Sequence, residues 1–124
     1  MKRFYFIFFA VFLFVCSCEL NFDGLTKSKV IGKWNVTEFN STGTWETVED
    51  GDMYAEFKSD HTYNSKFYSN TYTGTWKIVG SDTVKCNVSG VYVTYTMLYL
   101  KNNDATFEVK EPGYKPYSVK AIKE

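Results

Sequence analysis

Apolar and polar residues alternate with a period of two along most of this chain, most clearly from Met53 to Val79. Met53, Ala55 and Phe57 alternate with Tyr54, Glu56 and Lys58. After Ser59-Asp60-His61-Thr62, Tyr63, Ser65 and Phe67 alternate with Asn64, Lys66 and Tyr68. Beyond a polar break at Ser69-Asn70, Tyr72, Gly74, Trp76 and Ile78 alternate with Thr73, Thr75 and Lys77. This periodicity, rich in β-branched and aromatic residues, predicts half-buried antiparallel strands, here a meander of three with one wet face. His61 stands in the first turn at a position that requires positive φ, a conformation His tolerates better than most residues, which predicts an exposed turn histidine.

The remaining chain carries the same signal. Val30 to Phe39 predicts the first strand, with Gly32, Trp34 and Val36 on one face and Lys33, Asn35 and Thr37 on the other; Leu25 to Val30 before it suits a short helical turn. Gly43 to Val48, with Trp45, predicts a further strand ending at Asp50-Gly51, a hairpin signal. Thr83 to Ser89 and Val91 to Lys101 follow, the second apolar or aromatic on both faces, so that either both faces are covered or a bulge switches the face midway. Ala105 to Lys110, a type II turn at Pro112-Gly113 and a last strand through Tyr117, Val119 and Ala121 complete the count. The expected fold is all-β, an antiparallel up-and-down meander of eight to nine strands. Thr42-Gly43-Thr44-Trp45 and Thr73-Gly74-Thr75-Trp76 repeat at a spacing of 31 residues, which shared hairpin chemistry explains as well as duplication does.

The N-terminus does not belong to that sheet. Met1-Lys2-Arg3 is followed by the 12 apolar residues Phe4 to Val15, six of them phenylalanine. That run is too short for a mature membrane span and right for the apolar region of a signal peptide. Val15-Cys16-Ser17-Cys18 then resembles the lipobox of bacterial lipoproteins, which implies cleavage before Cys18 and a lipid on its thiol. The expected organisation is a leader at 1–17, a tether at 18–29 and a barrel domain at 30–124. A tether of ten residues reaches at most about 35 Å, which keeps the domain near its membrane.

Processing alters the composition that matters. Loss of Lys2 and the only arginine, Arg3, leaves 12 lysines against 14 acidic residues, a net charge of −2. Without arginine there is no planar fork for phosphate or guanine, and a slightly acidic domain lacks the footprint of nucleic-acid binding. Of three cysteines only Cys86 remains with a free side chain, alternating with Val84 and Val88 as a small buried hydrophobe. The acidic cluster Glu49 to Asp52 lacks the spacing of a calcium loop and reads as a solvated turn. No hydrolase, phosphate-binding or metalloprotease motif is present, and pairing Cys86 with His61 would require an inward strand residue to meet a turn. The expectation is therefore no catalysis, no metal and no cofactor.

Gly32-Lys33-Trp34 at the start of the first strand resembles the G-x-W element of lipocalins, whose tryptophan closes the base of an eight-stranded barrel. Phe57 to Tyr63 followed by Gly74-Thr75-Trp76-Lys77-Ile78 is similar to the pattern of small bacterial lipocalin-like lipoproteins. The resemblance implies a lipocalin-like barrel in the bacterial cell envelope, lipid-anchored at Cys18 in the outer membrane, with a small guest inside. The inward residues by alternation are Trp34, Val36, Phe57, Tyr63, Ser65, Phe67, Tyr72, Trp76, Ile78, Val84, Val88, Tyr95, Phe107 and Val109, with no lysine among them. From these, Trp34, Tyr63, Ser65, Phe67, Trp76 and Tyr95 are the expected contacts to a neutral apolar or aromatic molecule. An eight-stranded barrel holds side chains or one small ligand, so a filled interior remains the alternative. The domain would then bind a protein or glycan through outer or loop tyrosines such as Tyr54, Tyr68, Tyr92, Tyr114 and Tyr117.

Overall fold

A computed structural model describes residues 24–124. The expected leader, Cys16, Cys18 and the first part of the tether lie outside the described residues. A one-turn helix, α1 (Lys27–Val30), precedes nine strands: β1 (Gly32–Asn40), β2 (Glu46–Thr47), β3 (Met53–Phe57), β4 (Thr62–Phe67), β5 (Asn70–Val79), β6 (Thr83–Val88), β7 (Val91–Lys101), β8 (Asp104–Lys110) and β9 (Tyr117–Lys123). All pairings are antiparallel and each strand from β3 onward pairs with the next. β1 pairs with both β3 and β9, so eight strands close into a barrel and β2 is an extra strand on the end of β1. Closure satisfies the backbone groups that an open meander would leave along its edges.

Two bulges set which side chains enter the barrel. Between Val36 and Glu38 the register of β1 against β9 shifts, and Phe39 pairs with the inward Val119. Between Met97 and Tyr99 the register of β7 against β8 shifts, which leaves Leu98 and Tyr99 exposed and buries Leu100. The doubly apolar strand thus switches face midway, through an extra residue in one partner.

Three local expectations change. The segment Gly43 to Val48 forms only the two-residue β2, and Asp50-Gly51 turns the chain between two strands that lie on the same edge of β1, not between a hairpin pair. That turn is held from β1, where the Asn35 side chain donates to Asp50 Oδ1 at 2.9 Å and accepts from the Gly51 N–H at 3.3 Å. The two Thr-Gly-Thr-Trp segments are unlike: Gly43 lies in an open loop, whereas Gly74 sits inside β5 against the backbone of β6, where a Cβ would meet the Asn87 carbonyl oxygen at 2.0 Å. Other turns follow the sequence. His61 has φ +68°, and Tyr114 N–H donates to the Glu111 carbonyl at 3.2 Å across Pro112-Gly113, with Gly113 at φ +84° as a type II turn requires.

One end of the barrel is closed by packing. Trp34, Phe57, Trp76 and Phe107 are buried there, with Trp34 edge-on to Phe107 at 5.4 Å and Trp76 edge-on to Phe57 at 5.7 Å. The Trp34 indole N–H donates to the Val30 carbonyl at 3.0 Å, so α1 forms a plug whose orphan carbonyl is satisfied by the core. Lys123 donates to the Lys29 and Ile31 carbonyls at 3.2 Å each, with its ammonium 5.3 Å from the Trp34 ring centroid. Leu25 belongs to the same core, its N–H bonded to the Ser81 carbonyl at 2.8 Å.

Candidate functional site

Above this packed end the large rings give way to smaller side chains, and the barrel holds a cavity of about 710 Å³. That lies within the range of about 300–1,000 Å³ usual for small-molecule sites. Val36, Ala55, Ser65, Val93, Val109 and Val119 form much of its wall. It opens at the end away from α1, where Tyr72, Val91 and Tyr114 line it while exposed to solvent by 44, 48 and 74%.

The floor is polar at one point. Tyr63 and Tyr95 are buried and hydrogen-bond to each other through their hydroxyls, beside the buried Ser65. Burial pushes both phenols well above their ordinary range, so they remain neutral donors and acceptors at physiological pH. Their rings pack against Phe57 at 5.5 and 5.6 Å and thereby separate the cavity from the base.

The wall toward the mouth carries a second aromatic group. Phe39 lies 5.9 Å from Phe67 and 5.2 Å from Tyr117, ring centroid to centroid, and the Tyr117 hydroxyl donates to Glu111 Oε2 at 2.7 Å. Burial first, then the Glu111 carboxylate, raises the Tyr117 phenol and keeps its proton in that bond. Glu111, Lys66 and Lys115 also line the cavity toward its mouth.

Of the six residues expected to contact a guest, Tyr63, Ser65, Phe67 and Tyr95 line the cavity together. Trp34 and Trp76 face inward but lie below the floor and do not line it. Trp76 donates from its indole to the Lys58 carbonyl at 2.9 Å, and His61 covers its ring at 4.9 Å while its Nδ1 meets the Trp76 carbonyl at 3.1 Å. The turn histidine thus seals the closed end. Tyr72 points inward as expected but stands at the rim. Tyr117, assigned to an outer or loop position, lines the cavity with Val119. The expectation of a lining without lysine does not hold, because Lys66 and Lys115 reach the mouth.

Phe39, Tyr117 and Glu111 are among the cavity residues absent from the inward list. Phe39 is placed by the β1 bulge, and Glu111 lies in a turn to which no period applies. Cys86 is fully buried as a free thiol, and burial raises it out of the range in which a thiolate forms. No group of three or more acidic, His or Cys residues among the described residues could hold a metal ion.

The fold and this site define a class: a closed eight-stranded antiparallel barrel, plugged at one end, with an apolar cavity open at the other. Comparison with known proteins gives no closer relation, since no family model, no curated protein and no solved structure matches the chain.

Proposed function

We propose that this protein is a lipoprotein of the bacterial envelope, anchored through lipid on Cys18, that carries one small apolar or aromatic molecule in a lipocalin-like barrel. The observation that carries this reading is the cavity of about 710 Å³ where a filled interior was the alternative. Phe39, Phe67, Val93 and Tyr117 supply apolar contact area, and Ser65 with the Tyr63–Tyr95 pair offers a polar end at the floor.

The position of α1 orients the carrier. The chain joins the barrel at the plugged end, through Leu25 and Ser81. The six Cα–Cα steps from Cys18 to Gly24 extend at most about 22 Å. The barrel is taller: the 11 residues of β7, at about 3.3 Å each and tilted about 40°, rise roughly 28 Å. Attachment at the plugged end favours a mouth that faces away from the anchoring bilayer, with the guest exchanging on the aqueous side.

The test uses the full chain carrying Cys18→Ser, purified without detergent. For the anchor itself, intact mass of the unsubstituted chain shows Cys18 at its N-terminus carrying acyl chains; an intact leader or an unmodified thiol refutes the anchor. A neutral naphthylamine dye titrated into the Cys18→Ser chain gives saturable fluorescence enhancement, which Ser65→Phe abolishes by filling the floor while the protein stays folded. Absence of saturable binding refutes carriage. It favours the second reading, a protein or glycan partner held by the outer face, where the β7 bulge turns Leu98 and Tyr99 outward.

A further inference from the structure

We propose that the cavity selects guests with a cationic, hydrogen-bond-donating head on an apolar or aromatic body, and that Glu111 receives the head. This deepens the carrier reading and rests on it.

Glu111 is half-buried at the mouth, in the turn that follows β8. Tyr117 holds one carboxylate oxygen at 2.7 Å, which fixes the group against the aromatic wall. Among the described residues the other oxygen accepts no hydrogen bond, and Glu111 has no ion-pair partner; the one ion pair found there joins Lys120 to Glu38. A clamped carboxylate with a free oxygen, next to the rings of Phe39, Phe67 and Tyr117, suits an organic ammonium. The carboxylate takes its charge and a proton, and the rings take its apolar body.

The charge reaches into the cavity. Burial is the main cause that raises the Tyr63 phenol at the floor, and the Glu111 carboxylate adds to it. An anionic head would meet this field in a space shielded from water, where repulsion is stronger than in bulk solvent. Lys66 and Lys115 line the same mouth, but among the described residues neither forms an ion pair with Glu111.

The test titrates the Cys18→Ser chain calorimetrically, at neutral pH, with three probes of one aromatic body: naphthylmethylammonium, naphthylmethanol and naphthylacetate. The ammonium binds about tenfold tighter than the alcohol, the scale of one charge-assisted hydrogen bond, and the acetate binds weakest. Glu111→Gln removes the advantage of the ammonium, and Glu111→Lys places the acetate first. An ammonium that binds no tighter than the alcohol in the unsubstituted cavity overturns the proposal without any variant, as does an advantage that survives Glu111→Gln. Binding without a head-group order ends this inference and leaves the carrier reading standing; binding of none of the three ends both.

Discussion

Trp34→Ala tests the division of the barrel into a packed base and an open cavity. The ring is 1% exposed, packs edge-on against Phe107 at 5.4 Å, and donates its only N–H to Val30 in the plug at 3.0 Å. Truncating a buried tryptophan to alanine costs about 3–5 kcal/mol through lost burial and the void left behind. Here the Val30 carbonyl also loses its partner and Lys123 loses the ring beneath it, so the upper end of that range applies. Against a total of about 5–15 kcal/mol for a domain of this kind, the variant is barely stable. A domain near 100 residues loses about 4–8 °C per kcal/mol, which predicts a fall in melting temperature of at least about 20 °C. Circular dichroism during heating of the detergent-free Cys18→Ser chain measures it. Because Trp34 lies below the floor, binding of a neutral dye well below the melting temperature stays near that of the parent. A melting temperature within about 2 °C of the parent would mean that the ring is not buried, and a dye affinity lost in a folded variant would place Trp34 in the site.

Strand spacing and the buried phenols give two further outcomes. Gly74→Ala pushes a Cβ to 2.0 Å from the Asn87 carbonyl oxygen, so β5 and β6 must separate; overpacking of this kind costs about 1–3 kcal/mol, and an unchanged urea midpoint would show that the two strands are not so close. Raising the pH destabilises the domain, because burial raises the phenols of Tyr63, Tyr95 and Tyr117 above their unfolded value. Their contribution is therefore complete below about pH 10 and is lost as the pH climbs through the folded values. Lys123, lowered by burial, contributes in the opposite direction in the range below its ordinary value. Spectrophotometric titration checks this: these tyrosines ionise only with unfolding, and titration of every tyrosine near about pH 10 in the folded protein would contradict their burial.

Strand number, order and most turns were legible because alternation and turn chemistry are local. His61 at positive φ and the Pro112-Gly113 turn needed no knowledge of the rest of the chain. Depth within the barrel was not legible. Trp34, Trp76 and Tyr63 share the inward side of their strands, but only the stagger between strands decides that two of them lie beneath the floor and one forms it. Strict alternation puts Phe39 on the face of Thr37, and the extra residue in β1 reverses that parity with no mark in the composition of this strand. The Tyr117–Glu111 bond joins a strand start to a turn, and such a pairing has no period to reveal it. The apolar run of β7 did carry a trace of its bulge, since residues from Met97 to Leu100 are too apolar for strict alternation.

A barrel this short can keep an open cavity only if its large rings are not spread evenly. Trp34, Phe57, Trp76 and Phe107 are concentrated at the plugged end, where they contact one another and the helix. The tyrosine pair then ends this packed layer with hydroxyl groups that satisfy each other, so the floor does not depend on a guest or on water for its hydrogen bonds. Above it valine, alanine and serine stand between the aromatic residues of the wall and leave the space open. Stability and recognition thus rest on different residues of the same strands. β1 contributes Trp34 to the base and, beyond its bulge, Phe39 to the cavity; β4 contributes Tyr63 to the floor and Phe67 to the wall. Because the base carries the folding energy, side chains nearer the mouth such as Phe39, Val93 and Glu111 can vary with little effect on the plugged end.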